Sequence, residues 1–206
     1  MTDKIQTTLR DSAAMRWTAL LLLSLAMFCA YIFVDILSPI KELMQEQRGW
    51  DSTAFGTMQG SETFLNVFVF FLIFAGIILD KMGVRFTAIL SGAVMLTGAL
   101  IKYYAISDSF AGSALDIWFT DHLNHIPVFE QLGVSPFYEG MPASAKVAAC
   151  GFMIFGCGTE MAGITVSRGI VKWFKGREMA LAMGSEMALA RLGVATCMIF
   201  SPFFAK

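Results

Sequence analysis

The sequence predicts an all-α membrane protein, and three observations lead to that prediction. Apolar residues make up 56% of the 206 residues, and charged residues only 15%. The mean hydropathy is +0.65, and a typical soluble domain would have about a quarter of its residues charged. The apolar residues also form runs of about 20 or more, the length that an α-helix needs to cross a bilayer.

The first apolar run predicts a membrane helix over about residues 17–40. The segment before it, residues 1–16, is too hydrophilic and too long for the charged start of a cleaved signal peptide. We therefore expect a cytoplasmic tail there, and a polar loop over 41–57. The other four spans are predicted over about 58–79, 86–105, 146–171 and 178–204, with an extracytoplasmic loop over 106–146.

The loop over 106–146 is long for a connection between helices. It is acidic and contains interspersed aromatic residues, so a short amphipathic helix on the membrane surface is expected around 113–124. The rest of the sequence has no motif for a metal, a nucleotide or a catalytic set of residues. We therefore expect no enzyme, no cofactor and no metal site.

The positively charged residues are distributed unequally between the two sides of the membrane. Short loops that are dense in Lys and Arg stay in the cytoplasm, which predicts a cytoplasmic N-terminus and, after five spans, an extracytoplasmic end. One side holds Lys4, Arg10, Arg16, Lys81, Arg85, Arg168, Lys172, Lys175 and Arg177, and the other holds Lys41, Arg48, Lys102 and Lys146.

Two charged residues are expected near the middle of the membrane. Glu160 lies roughly 18 Å along its helix from Lys172, and Arg191 roughly 20 Å from Glu178. A charge at this depth costs about 3 kcal/mol or more unless it faces a partner or a wet cavity. A short turn joins the two helices, so the two side chains can approach each other. Glu186 points elsewhere, about 140° round its helix from Arg191.

Two interpretations of Glu160 and Arg191 are open. They form a structural ion pair, or they line a solute cavity. An arginine fork suits a carboxylate, and a glutamate suits an ammonium group, so together they are complementary to a zwitterion such as an amino acid or a short peptide. Asp35, near the outer end of the first span, either reaches lipid headgroups or acts as a substrate or gate residue.

The turn between the second and third spans carries a recognisable pattern, Gly76-x-x-x-Asp80-Lys81-x-Gly83-x-Arg85. It resembles the signature of the major facilitator superfamily at the same place in the topology. That family implies twelve helices in two halves, alternating access, and a conformational switch at this motif. The chain would then be the first five helices, and the C-terminal half would be its partner.

A second pattern follows the fourth span: Arg168, Lys172 and Glu178 flank Trp173-Phe174. It also resembles that superfamily, and within it the branch of lysosomal dipeptide uniporters and their bacterial relatives. The segments that carry this closer resemblance are Tyr31-x-Phe-x-Asp35, Phe155-Gly-x-Gly-x-Glu160, Trp173-Phe-Lys-Gly-Arg-Glu178 and Met187-Ala-Leu-Ala-Arg191-Leu-Gly.

The resemblance implies that Glu160 holds the amino group of a peptide and Arg191 its carboxylate. It differs at Glu186, where an uncharged amide is expected. The N-terminal tail has no acidic dileucine sorting signal, which favours a bacterial inner membrane over a lysosomal one.

The leading hypothesis is thus a secondary active or facilitative transporter of dipeptides or similar zwitterionic solutes, with the lipid bilayer and the solute as partners. Two alternatives stay open. One is an organic-anion transporter of the same superfamily, in which Glu160 only balances the charge of Arg191. The other is a truncated membrane protein that transports nothing.

Overall fold

The structure, a computed structural model, describes residues 12–123, 131 and 135–204, and these residues contain helices and no strand. The predicted tail lies outside the described residues as far as residue 11, and so do parts of the loop over 106–146. The helices are Ala13–Asp35 (α1), Lys41–Arg48 (α2), Ser52–Gly60 (α3), Phe64–Phe68 (α4), Phe71–Ile106 (α5), Ala114–His122 (α6), Ala143–Phe174 (α7) and Met179–Phe204 (α8), with 3-10 turns at Ser38–Ile40 and Ser61–Thr63.

Four helical stretches in this part of the chain are long and apolar enough to cross a membrane. By length and composition they make the chain an integral, multi-pass membrane protein. They are Ala13–Arg48, Phe71–Ile106, Ala143–Phe174 and Met179–Phe204.

The first helix begins earlier than the sequence suggests. Ser12 is its N-cap, and the Ser12 side chain accepts a hydrogen bond from the backbone N–H of Met15 at 3.4 Å. Arg16 therefore belongs to α1 and is buried, with 3% of its surface exposed. The helix starts before the apolar run does, because Ser12 caps it.

The polar loop expected over 41–57 is largely helical. Asp51 caps α3 by accepting a hydrogen bond from the backbone N–H of Ala54 at 2.6 Å. Trp50, between α2 and α3, is 1% exposed and donates a hydrogen bond to the Ser144 hydroxyl at 2.8 Å. A cap and a buried aromatic residue thus order a segment that composition alone marks as a loop.

The predicted span over 58–79 is interrupted. A 3-10 turn occupies Ser61–Thr63, and a second break follows α4 at Phe70, whose φ is 54°. The hydroxyl of Ser61 donates to the carbonyl oxygens of Met58 and Ala149 at 2.6 and 3.1 Å. Side chains that bond to backbone carbonyl oxygens compete with the hydrogen bonds of a regular helix. This explains why the helix breaks here, although the apolar sequence predicts a continuous span.

Gly83 divides α5. A straight helix of 36 residues would be roughly 54 Å long, far more than a bilayer core of about 30 Å. Gly83 has φ 81° and ψ 170°, values outside the helical region, and two helices over 71–82 and 84–106 meet there. The break falls inside the turn that the sequence places between the second and third spans. Glycine adopts positive φ without strain.

The described helices pack around α7, which has most of its surface buried. α5 packs along it so closely that a Cβ atom at Gly98 would overlap the backbone of Phe155. On another side α7 contacts α1, and α1 is the main neighbour of α8. There a Cβ at Gly193 would come within 2.5 Å of the Phe28 carbonyl oxygen. Small residues allow this approach of helix backbones.

Gly156 offers a test of this packing, because a Cβ atom there would overlap the Glu62 carbonyl oxygen. We expect Gly156→Ala to lower the free energy of unfolding by about 2 kcal/mol or more, since backbone has to move. Thermal unfolding of the purified protein in detergent measures this. The matched control is Gly163→Ala on the same helix, whose added methyl group meets nothing within 4 Å. Equal melting temperatures for the two variants would contradict the packing described here.

Candidate functional site

Glu160 and Arg191 lie on helices that have different main neighbours. Glu160 is half-buried on α7, and Arg191 is exposed on α8 with its guanidinium carbon 5.8 Å from the centroid of the Tyr31 ring. No ion pair joins the two residues in the part of the chain that the structure describes. α8 packs chiefly on α1 and has fewer contacts with α7.

The two residues nevertheless lie at a similar depth. The rings of Phe33 and Phe155 are 4.6 Å apart, which aligns α1 with α7. Glu160 is five residues further along α7, and Phe28 lies five residues back along α1. Both are therefore roughly 7.5 Å from that contact, in the same direction. Because Gly193 contacts Phe28, Arg191 lies within one helical turn of the level of Glu160.

Glu160 belongs to a group of four charged residues that the sequence analysis did not assemble. Glu62 lies close enough to Glu160, Lys102 and Asp35 for their charges to interact. Lys102 interacts in turn with Glu62 and Asp35. We call Asp35, Glu62, Lys102 and Glu160 the four-charge cluster. Two of its carboxylates, Glu62 and Asp35, lie near the ammonium group of Lys102, and the third, Glu160, lies near Glu62. The cluster contains two of the three predicted substrate residues.

Lys102 is the most deeply buried member, with 1% of its surface exposed. Its Nζ lies 3.7 Å from the ring centroid of Phe152 and 4.9 Å from that of Phe33. No hydrogen-bond partner for Nζ is present among the described residues. Two aromatic faces and nearby carboxylates stabilise the charge, but a buried ammonium group without hydrogen bonds is still costly.

Lys102 also lines a cavity of about 310 Å³. Its walls are mostly apolar and include Phe33, Tyr103 and Phe204, with the Ser201 hydroxyl as a further polar group.

Glu62 is brought into the cluster by the 3-10 turn at Ser61–Thr63. Its backbone lies directly against α7 at Gly156, where the helix has no side chain. One turn further on, the amide of Asn66 donates to the Gly156 carbonyl oxygen at 3.3 Å. Glu62 is half-buried against α7.

The other predicted site residues on these helices have clear positions. Asp35 is half-buried at the end of α1, and its Oδ1 accepts a hydrogen bond from the Ser38 hydroxyl at 3.3 Å. Glu186 is buried on α8, with 8% of its surface exposed. It has no ion-pair partner among the described residues.

The structure joins the two motifs that carry the family resemblance. Asp80 from the first motif forms an ion pair with Arg168 from the second. Arg85 and Lys172, again one from each, line a single cavity of about 730 Å³. Gly83 supplies the break in α5 described above. Gly76 lies within α5, and Lys81 is exposed on the same end of the molecule.

Glu178, the last residue of the second motif, contacts the first helix. Its Oε2 lies 3.7 Å from Nη2 of Arg16, whose guanidinium carbon is 5.5 Å from the centroid of the Phe174 ring. Glu178 is half-exposed, whereas Arg16 is buried. The turn after α7 is thus attached to the start of α1 by an ion pair and an aromatic contact.

No family model, curated protein or solved structure matches this chain. The resemblance to the major facilitator superfamily therefore stays a prediction.

The four-charge cluster gives a prediction about stability. We expect Lys102→Met to lower the free energy of unfolding by about 2 kcal/mol or more, because Glu62 and Asp35 lose the cation near them. Adding Glu62→Gln to Lys102→Met restores most of the stability, since it removes one of those two carboxylates. Thermal unfolding of the purified single and double variants measures these effects.

The control for this experiment is Lys41→Met, which removes an ammonium group 5.8 Å above the Phe55 ring but outside the cluster. It should change stability by about 0.5 kcal/mol or less. A loss from Lys102→Met that is no larger than the loss from Lys41→Met, or that Glu62→Gln does not reduce, would contradict the cluster.

Proposed function

We propose that this chain is part of a secondary active or facilitative transporter of small zwitterionic solutes, foremost dipeptides. The observation that carries the proposal is the arrangement of charge. Glu160 lies near Glu62 in the four-charge cluster, and Arg191 lies within a turn of the depth of Glu160, with no carboxylate paired to it among the described residues. The carboxylates suit an amino group, and the exposed guanidinium suits a carboxylate.

The mechanism follows from where these charges lie. Glu160 and Arg191 are not joined to each other, so a solute that carries both signs of charge can bridge them. Glu160 binds the amino group, and Arg191 binds the carboxylate. Tyr31, beside Arg191, limits the width of the site. Binding energy from both ends of the solute then favours a closed state over an open one.

The resemblance described above supplies the rest of this proposal. It implies a C-terminal half that completes the cavity, and alternating access by rocking of the two halves. The ion pair between Asp80 and Arg168 fits a switch at the inner side of the membrane, because such contacts form in one state and break in another. The clustered cations at this end favour a cytoplasmic N-terminus. The bacterial inner membrane is favoured by the N-terminal tail, which has no acidic dileucine sorting signal.

Uptake of a labelled dipeptide by the full-length protein tests the site. We expect Glu160→Gln and Arg191→Gln each to reduce uptake at least about tenfold, the effect of about 1.4 kcal/mol of lost interaction. The matched controls are Glu46→Gln and Lys175→Gln, which change the same charges at exposed positions. Wild-type uptake in both site variants would overturn the assignment.

An organic-anion carrier is the second candidate, and the buried ammonium group of Lys102 favours it. Against it, three carboxylates in the four-charge cluster repel an anion. Competition separates the two functions: an anion carrier takes an amino-blocked dipeptide as well as a free one, whereas the proposed transporter rejects it. Absence of any uptake by the full-length protein would leave a membrane protein that transports nothing.

A further inference from the structure

The second cavity lies at the end of the molecule opposite Lys102. It has a volume of about 730 Å³ and lies between α1, the break in α5 and the last turn of α7. Most of its wall is apolar, and two positively charged residues, Arg85 and Lys172, also line the cavity. We call it the basic interfacial cavity.

The two cations of this cavity are not neutralised by the acidic residues near them. Asp80 is paired with Arg168, and Glu178 is paired with Arg16. Neither Arg85 nor Lys172 forms an ion pair in the described ranges of the chain, and both are exposed. The cavity therefore presents two positive charges with no carboxylate to balance them.

The residues around the cavity are typical of a membrane–water boundary. Arg85 follows the break at Gly83 between two apolar segments, and Lys172 lies in the last turn of α7 beside Trp173. Cations and tryptophan are characteristic of this boundary. The apolar wall continues outward through Leu22 and Ile89, which are 64% and 69% exposed. A site for a free anion would need no such surface.

We propose that the basic interfacial cavity binds an anionic phospholipid. Arg85 and Lys172 hold the phosphate and the charged headgroup, and the upper part of an acyl chain lies along Leu22 and Ile89. Basic pockets between membrane helices on the cytoplasmic side attract anionic headgroups in this way. The bound lipid would contact α1, α5 and α7 together, and it would cover the break in α5 at Gly83.

Native mass spectrometry of the purified, delipidated protein tests this proposal. The probes are phosphatidylglycerol and phosphatidylcholine with the same acyl chains. We expect phosphatidylglycerol to bind at least about tenfold more tightly than phosphatidylcholine. The double variant Arg85→Gln with Lys172→Gln should lose that preference and leave phosphatidylcholine binding unchanged.

The matched control is Lys81→Gln with Lys175→Gln, which removes two exposed charges at the same end but outside the cavity lining. It should keep the preference within about twofold. A charge-preserving variant, Arg85→Lys with Lys172→Arg, should also keep the preference. It shows whether a loss in the double variant comes from the missing charges or from misfolding. Three results would overturn the lipid site. The control variant could lose the preference for phosphatidylglycerol as the double variant does, or the two lipids could bind equally well. Glycerol phosphate could also displace phosphatidylglycerol at an equal concentration.

Discussion

Burial of the Lys102 ammonium group is the constraint on which much of this structure depends. A cation that is 1% exposed inside an apolar bundle requires compensating charge close by. Glu62 and Asp35 supply it. The 3-10 turn at Ser61–Thr63 brings Glu62 against α7, and Gly156 leaves the space that its backbone needs. The break at Ser61–Thr63, where hydropathy alone predicts a continuous helix, therefore brings Glu62 into the four-charge cluster.

The packing of α8 explains why Glu160 and Arg191 are not paired. α1 is the main neighbour of α8, and Gly193 allows the close approach of Phe28. Two charges at similar depth therefore do not neutralise each other. That separation is the basis of the proposed function.

Most of the long helices were predictable from the sequence, because a long apolar segment in a bilayer has to satisfy its own backbone hydrogen bonds and does so as an α-helix. The break at Gly83 was also predictable from the local pattern. Lys102 and Glu62 were not, because a charged residue near the end of an apolar run looks the same whether it reaches water or is buried. Only the packing of α5 and of the 3-10 turn on α7 decides between the two. The pairing of Asp80 with Arg168 joins residues 88 positions apart, and no local pattern contains that information.

The most direct test of this account is a cryo-electron microscopy structure of the full-length protein in lipid nanodiscs with a bound dipeptide. The account predicts that the amino group of the dipeptide lies within about 4 Å of the carboxylate of Glu160, a distance at which opposite charges interact strongly. It also predicts the peptide carboxylate at Arg191, beside Tyr31. A dipeptide bound away from both residues, or bound in the opposite orientation, would contradict the central claim.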